Sequence, residues 1–176
     1  MDKNSLDDLL DKKRKTKKAL CEKLSIDDSS ALLGIVLDKK LSKSEKKILR
    51  NVVEGAHHIN INVIILTDTS LFNPGKIPHL EYSRESRHKL LEASDMSLIF
   101  SFSDVQEILL NGTVPISPDR KEVSDYDPNR ETGNGFVYRE NDYWCAFATL
   151  VRALETFKFP YDWNNIVKKG VSSVAV

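Results

Sequence analysis

The chain has 176 residues, the size of one ordinary domain and too short for two complete nucleotide-binding domains. Lysine plus arginine and aspartate plus glutamate both number 26, so the formal net charge is zero and no overall field favours nucleic acid. The two cysteines, Cys21 and Cys145, supply neither a disulfide framework nor a zinc-ligand spacing. Together with the lack of a signal-like N-terminus or a long apolar run, they predict a cytoplasmic protein with no membrane partner.

The first half of the chain predicts a helix followed by a strand–helix–strand unit. Ser5 to Leu24 reads as a helix that Ser5 caps, with a solvated charged middle. Two short apolar runs, Ala31 to Asp38 and Ile61 to Asp68, read as strands covered on both faces, as in a parallel sheet. Ser44 to His57 lies between them and has a helical period.

The second half continues the alternation of helices and strands. The segment SRESRHKLLEAS predicts a helix and MSLIFSF a third strand, and a short helix follows from Asp104 to Leu110. Gly112 ends that helix, and TVPIS predicts a fourth strand in which Pro115 favours an edge or terminal position. FVY is a fifth short strand, preceded by a turn at Gly133 to Gly135.

A long helix is predicted from Asp142 to Lys158, with Asn141 as its cap. One apolar stripe on this helix is assigned to the core and comprises Trp144, Phe147, Val151 and Leu154. Tyr161 and Trp163 follow Pro160 and are assigned to packing against a partner domain.

This order of elements predicts an α/β fold: a Rossmann-like three-layer α/β/α sandwich whose mostly parallel sheet has about five to six strands. Residues 1–176 are expected to form one domain, in which 1–28 are an N-terminal helix and lead-in. No internal repeat or low-complexity linker interrupts it.

Three motifs in chain order carry a family resemblance: SDMSLIFSF, LLNGTVPISPDR and VSDYDPNRETGNGF. Together with KTKKALCEKLSID and ALLGIVLDKKLSKSEK, they resemble the C-terminal, nucleotide-sugar-binding domain of bacterial glycogen synthases and plant starch synthases. These enzymes have two facing Rossmann-like domains, the GT-B architecture. The resemblance implies transfer of glucose from ADP-glucose or UDP-glucose to a glucan.

Such a transfer requires positive potential around the diphosphate leaving group, which the family supplies with an arginine, a lysine and a helix N-terminus. A gap-free match places Asp38 at the arginine and Lys43 at the lysine; a small insertion instead brings Lys40 and Lys46 to these positions. The sequence leaves both registers open. Asp38 would repel a diphosphate.

The family's acidic EPCG loop has no counterpart, because the segment Ser101 to Gly112 is several residues shorter. Asp104 is interpreted as a helix cap and Glu107 as an exposed side chain, rather than as substitutes for the missing glutamate. The partner domain that holds the acceptor and a KxGG motif is also missing. We therefore expect no catalytic residue in this chain alone.

By resemblance, the candidate substrate-binding residues surround a cleft near Ser101 to Gly112 and Thr132 to Gly135. They are Lys40, Lys43, Ser101, Gly112, Thr113, Gly133 and Gly135. The glycines have the alternative role of serving the fold. No cofactor is expected, and the spacing of the histidines predicts no metal site.

The basic run KKRKTKK, Lys12 to Lys18, is flanked by acidic residues and is interpreted as a solvated helix face rather than a site for an anionic polymer. The sequence thus predicts a catalytically incomplete glycosyltransferase domain that retains nucleotide-sugar or glucan binding. One alternative is a subunit of a split glycosyltransferase, with a separate N-terminal-type domain or a second copy as partner. The other is an interaction module that uses the helix Ser5 to Leu24 or the loop Asn73 to His79.

Overall fold

The computed structural model describes residues 3–139 and 142–174, which form six helices and six strands. The helices are α1 (Lys3–Leu24), α2 (Lys43–Ala56), α3 (Arg84–Ala93), α4 (Val105–Leu110), α5 (Tyr143–Phe157) and α6 (Pro160–Val174). The strands are β1 (Ala31–Leu37), β2 (Ile61–Thr67), β3 (His79–Glu81), β4 (Met96–Leu98), β5 (Val114–Pro118) and β6 (Phe136–Tyr138).

The strands form one sheet in the order β3-β2-β1-β4-β5-β6, and every neighbouring pair is parallel. This is the strand order of the Rossmann fold, and the predicted fold class is confirmed. The apolar runs of β1 and β2 fit this sheet because helices cover it on both faces; all seven residues of β1 are buried.

Two apolar clusters lie on opposite faces of the sheet. One joins the inner faces of α2 and α5 and the first half of α6 to the sheet. The other lies under α1, α3 and α4. Because the strands are parallel, their carboxyl ends all lie along one side of the sheet, here called the carboxyl edge. The helices α2, α4 and α5 follow the carboxyl ends of β1, β4 and β6. The opposite edge is called the amino edge.

Several element predictions need correction. The strand β3 was missed because it has only three residues and pairs with β2 alone. The helix α6 was missed because Pro160 reads as a break, whereas it occupies the first helical position, where no amide donor is needed. Ser5 is not the start of α1, which begins at Lys3. Pro115 is not in an edge strand, but it is the second residue of β5 and precedes the residues that pair with β6, which agrees with the terminal position that the sequence also allowed.

The predicted apolar stripe of α5 is correct in part. The buried residues of this helix are Ala146, Thr149, Leu150 and Ala153, and Phe147 and Leu154 of the predicted stripe are partly buried and pack against the core. Trp144 is 63% exposed, whereas Trp163, which the sequence assigns to packing against a partner domain, is 6% exposed and lies in the core of this chain. Asp142 caps α5 by accepting bonds from the amides of Trp144 and Cys145; the predicted cap Asn141 lies outside the described residues.

The charged block of α1 is not wholly solvated, because α1 packs against α3. Lys13 is buried, and its ammonium donates to the carbonyls of Glu92 and Ser94 at 3.1 and 2.7 Å. Lys17 pairs with Asp95 at 2.8 Å with little exposure of either side chain. Both lysines hold α1 to the body of the domain, so this helix offers less free basic surface than its sequence indicates.

Candidate functional site

The carboxyl edge has a topological switch point between β1 and β4, where chain connections leave in opposite directions. In open α/β sheets this crevice is the usual place for a ligand. A pocket of about 230 Å³ lies there. Its lining comprises Ser42, Ser44, Glu45, Ile48, Phe100, Ser101, Pro118 and Tyr138. The pocket is smaller than the range of about 300–1,000 Å³ that is usual for small-molecule sites.

Glu45 occupies the end of this pocket nearest to α2. It forms a capping box with Ser42: the Ser42 hydroxyl accepts from the Glu45 amide, and the Glu45 carboxylate accepts from the Ser42 amide at 2.9 Å. The same carboxylate accepts from the amide and the hydroxyl of Ser101 at 3.1 and 2.8 Å. Burial opposes ionisation, but these bonds from Ser42 and Ser101 outweigh it and lower the pKa of Glu45. An anion entering the pocket therefore meets a carboxylate.

Asp38, directly after β1, is neutralised from within the protein. Its carboxylate pairs with the Arg87 guanidinium at 2.6 Å, and Arg87 also pairs with Glu107 at 2.7 Å. Glu107 was expected to be an exposed side chain; it is one-third exposed and held in this pair. Arg87 is thus shared between two carboxylates on either side of it. The Arg87 charge beside the carboxyl end of β1 is therefore already balanced.

The lysines assigned to the diphosphate do not converge on the pocket. Lys40, Lys43 and Lys46 are all exposed, and none of them belongs to its lining. Ser44, Glu45 and Ile48 face the pocket from α2, so Lys43 and Lys46 lie on the opposite side of that helix. Ser101 is the one predicted site residue that lines the pocket.

The helix after β4 also differs from a phosphate site. The helix α4 has only six residues, and its first turn is capped by Asp104, whose carboxylate accepts from the Glu107 amide at 3.1 Å. This confirms the interpretation of Asp104 as a cap. The Asp104 carboxylate competes with a phosphate at this helix start, because both would need the Glu107 amide as a donor.

Gly112 and Thr113 lie at the amino edge, immediately before β5, and so at the end of the sheet opposite the pocket. The Thr113 hydroxyl is buried and bonds to the Ser94 carbonyl and to Lys13, at 3.0 Å each. Gly112 has a φ of +64°, and a Cβ there would come within 2.8 Å of Leu9. The structure gives these two residues roles in the fold.

Gly133 and Gly135 pack against their own loop. Gly133 has a φ of +105°, and a Cβ there would lie 2.5 Å from the Asp125 carbonyl. A Cβ at Gly135 would lie 2.7 Å from Pro115. Both glycines are needed where the chain returns to the start of β6, and neither lines the pocket.

Sequence reasoning missed two arginines that matter at this edge, Arg87 and Arg120. Arg120 donates to the carbonyls of Phe100 and Ser103 at 3.1 and 3.3 Å, and so fixes the loop after β4. Arg120 follows β5 closely and Arg87 lies in the first half of α3, and neither position indicates the partner of the side chain. Both cations near the pocket serve the fold.

Within the described ranges, no group of three or more histidine, cysteine, aspartate or glutamate side chains has a metal-binding arrangement. None of the helices in residues 3–139 and 142–174 is long and apolar enough to cross a bilayer.

No protein-family model matches the chain. It is 25% identical over 190 residues to glycogen synthase of Pseudothermotoga lettingae, and the match spans 94% of this chain but 39% of that protein. The catalytic domain of starch synthase IV from Arabidopsis thaliana, bound to ADP and acarbose, superposes with a TM-score of 0.74 at 18% identity. That match covers 91% of this chain and 38% of the other.

A third comparison matches a protein of the same size. The C-terminal CMP-Kdo binding domain of WaaA from Acinetobacter baumannii has a TM-score of 0.60 at 9% identity. It covers 93% of this chain and 98% of that domain, which shows the shared fold. The resemblance to glycogen and starch synthases is confirmed, and the chain spans about two-fifths of the length of the relative that it matches.

Proposed function

We propose that this chain is a glycosyltransferase domain of the glycogen and starch synthase type that cannot complete glucosyl transfer alone. It retains at most weak binding of ADP-glucose, UDP-glucose or glucan. The similarity to glycogen synthase supports the type of domain, and the charge distribution at the carboxyl edge supports its incompleteness.

The observation that carries this proposal is the lining of the switch-point pocket. A departing diphosphate needs several cationic or amide donors around it. The pocket in the described chain contains no lysine or arginine and presents the Glu45 carboxylate, whose bonds to Ser42 and Ser101 occupy the nearby amides. For residual binding, Ser101 is in place, and Lys40 and Lys43 are near the end of β1 but directed elsewhere.

Two measurements test the proposal with the isolated chain. Calorimetry with ADP-glucose and with UDP-glucose should give weak or undetectable binding, and a glucose-transfer assay with glycogen should give no turnover. The Glu45→Gln variant removes the charge but keeps an acceptor, and we expect it to bind the nucleotide sugar more tightly than wild type. Robust transfer by the wild-type chain, or tight binding that Glu45→Gln weakens, would contradict the proposal.

A second candidate function is that of one subunit of a split glycosyltransferase. The observation in its favour is the coverage: the chain matches 39% of glycogen synthase and 38% of the starch synthase domain. A separate chain could then supply the remaining portion. Co-purification from the native source should yield a stoichiometric second Rossmann-like chain, and mixing the two should restore transfer.

A further inference from the structure

The outward face of α2 is a continuous row of positive charges. Four exposed cations follow one another at the i, i+3, i+4, i+7 spacing of a single helix face and span about 10 Å. They are Lys43, Lys46, Lys47 and Arg50, here called the α2 cationic face. Within residues 3–139 and 142–174 none of them forms an ion pair. Lys39 and Lys40, both exposed, extend the row at its N-terminal end.

Acidic residues balance this row only in part: Glu54, one turn after Arg50, is the acidic residue that shares a hollow with Lys47 and Arg50 in the described chain. Glu45, on the same helix, is directed into the pocket and bonded to Ser42 and Ser101. Asp38, just before the row, is paired with Arg87. The local field of the α2 cationic face is therefore positive, although the whole protein is neutral.

An exposed aromatic pair adjoins this face. The rings of Tyr143 and Trp144, at the start of α5, are 5.5 Å apart, and Trp144 is the more exposed. A shallow hollow of about 240 Å³ is formed by Tyr143 with Lys47, Arg50, Asn51 and Glu54, which places the ring beside the α2 cationic face. Tyrosine and tryptophan rings favour the boundary between water and an apolar phase.

We propose that the α2 cationic face and the Tyr143–Trp144 pair form a peripheral binding surface for an anionic lipid bilayer. The cations are attracted to the lipid head groups, and the two rings insert at the level of those groups. The surface is the outer ridge of a helix with no deep groove. A bilayer is flat and needs no groove, and the exposed Tyr143–Trp144 pair favours a membrane interface, whereas tight binding of single-stranded nucleic acid or of a protein anchor residue usually uses a groove or a pocket. This inference is independent of the proposed function, and it departs from the sequence-based expectation of no membrane partner.

The number of cations predicts the size of the effect. Each lysine or arginine close to an anionic membrane contributes about fivefold to the partition coefficient, so neutralising two of them should weaken binding about 30-fold. High salt should also weaken binding, because these charges are exposed and are screened over about 8 Å at physiological ionic strength.

The experiment is vesicle co-sedimentation of the full chain, with vesicles of equal parts phosphatidylcholine and phosphatidylglycerol compared with phosphatidylcholine alone. We expect binding only to the anionic vesicles, about 30-fold weaker binding for the double variant Lys43→Gln/Lys47→Gln, and weaker binding for Trp144→Ala. Wild-type tryptophan emission should shift to the blue on binding. The shift should vanish in Trp144→Ala, because the remaining Trp163 is buried in both states.

Matched controls carry the same changes elsewhere. Lys168→Gln/Lys169→Gln removes two exposed cations from α6, and Phe159→Ala removes an exposed aromatic ring outside the surface. Both should bind as wild type does. The proposal is overturned if anionic vesicles do not bind the chain or if the controls weaken binding equally. It is also overturned if poly(U) or polyglutamate of matched charge binds more tightly than the vesicles.

Discussion

Replacing Lys13 with methionine tests how the structure attaches α1 to the amino edge. The ammonium of Lys13 is enclosed and has four acceptors within 3.1 Å. They are the carbonyls of Glu92, Ser94 and Asn111 and the hydroxyl of Thr113. Methionine keeps most of the aliphatic stem, so the substitution removes the charge and the three N–H donors while it disturbs packing little.

The structure gives two opposing contributions at neutral pH. As a neutral amine, Lys13 would donate two hydrogen bonds to its buried acceptors, and leaving these acceptors unpaired costs about 2–3 kcal/mol each, or about 5 kcal/mol together. Burial lowers the pKa of Lys13 from 10.5 to about 8, despite the opposing charges of Asp95 and Glu92. That depression means that the charged form is less favourable than the neutral one by about 3 kcal/mol in the folded protein. At neutral pH we therefore expect Lys13→Met to lower the free energy of unfolding by the difference, about 2 kcal/mol.

The pH dependence gives a second, independent readout. The folded-state pKa is below the unfolded value of 10.5, so between about pH 8 and 10.5 the unfolded chain binds more protons at this site. The cost of burying the charge is therefore relieved as pH rises through that window. The stability difference between wild type and Lys13→Met should grow by about 3 kcal/mol, because other titrating groups cancel in the comparison.

Urea unfolding at a series of pH values measures both effects, and Lys15→Met is the matched control. Lys15 is an exposed lysine of the same helix, and its replacement should change stability by no more than about 0.5 kcal/mol. The reasoning is refuted if Lys13→Met costs no more than Lys15→Met. It is also refuted if the difference from wild type stays flat or falls between pH 8 and 10.5.

Three further predictions concern the core, β1 and the pocket. Trp163→Ala should cost about 3–5 kcal/mol in thermal or urea unfolding, whereas Trp144→Ala should cost less than about 0.5 kcal/mol; similar costs would contradict the assignment of Trp163 to the core. Gly34→Ala places a Cβ 2.1 Å from the Ser94 hydroxyl and should destabilise by about 1–3 kcal/mol, a loss that Ser94→Ala should partly recover if this contact is its cause. Because the pKa of Glu45 is lowered, its carboxylate stabilises the fold above the ordinary value of 4.5, and this contribution is lost as pH falls. The stability advantage of wild type over Glu45→Gln should therefore shrink in acid unfolding curves, and an unchanged advantage would count against the role of the ionised group.

The sheet could be predicted from the sequence because β1 and β2 are each a nearly continuous run of apolar residues, which is a clear signal for a buried strand. Both β1 and β2 lie between covering helices, so almost every position is apolar and the run cannot be mistaken for an amphipathic element. The strand β3 carries no such signal, since only Leu80 of its three residues is buried. Its pairing depends on the exposed edge of β2, which no local pattern reveals.

The site was harder to predict because its properties depend on long-range partners. Arg87 and Asp38 form an ion pair although they are 49 residues apart in the sequence. Nothing in the sequence near either residue indicates the other as its partner. In the sequence Lys13 is one of several lysines in a charged run, and only the fold shows that four acceptors from distant segments surround its ammonium. The local sequence did predict a cap at Asp104, because capping depends on a residue only three positions away.

The double use of the Glu45 carboxylate limits how this edge could change under selection. A lysine at that position would supply the charge that a diphosphate requires, but it would leave the Ser42 amide and the Ser101 amide and hydroxyl without their acceptor. A gain of affinity would then coincide with a loosened helix start and a freed loop. Any route from this chain toward a working transferase consequently needs a compensating substitution that re-anchors both segments before, or together with, the reversal of charge.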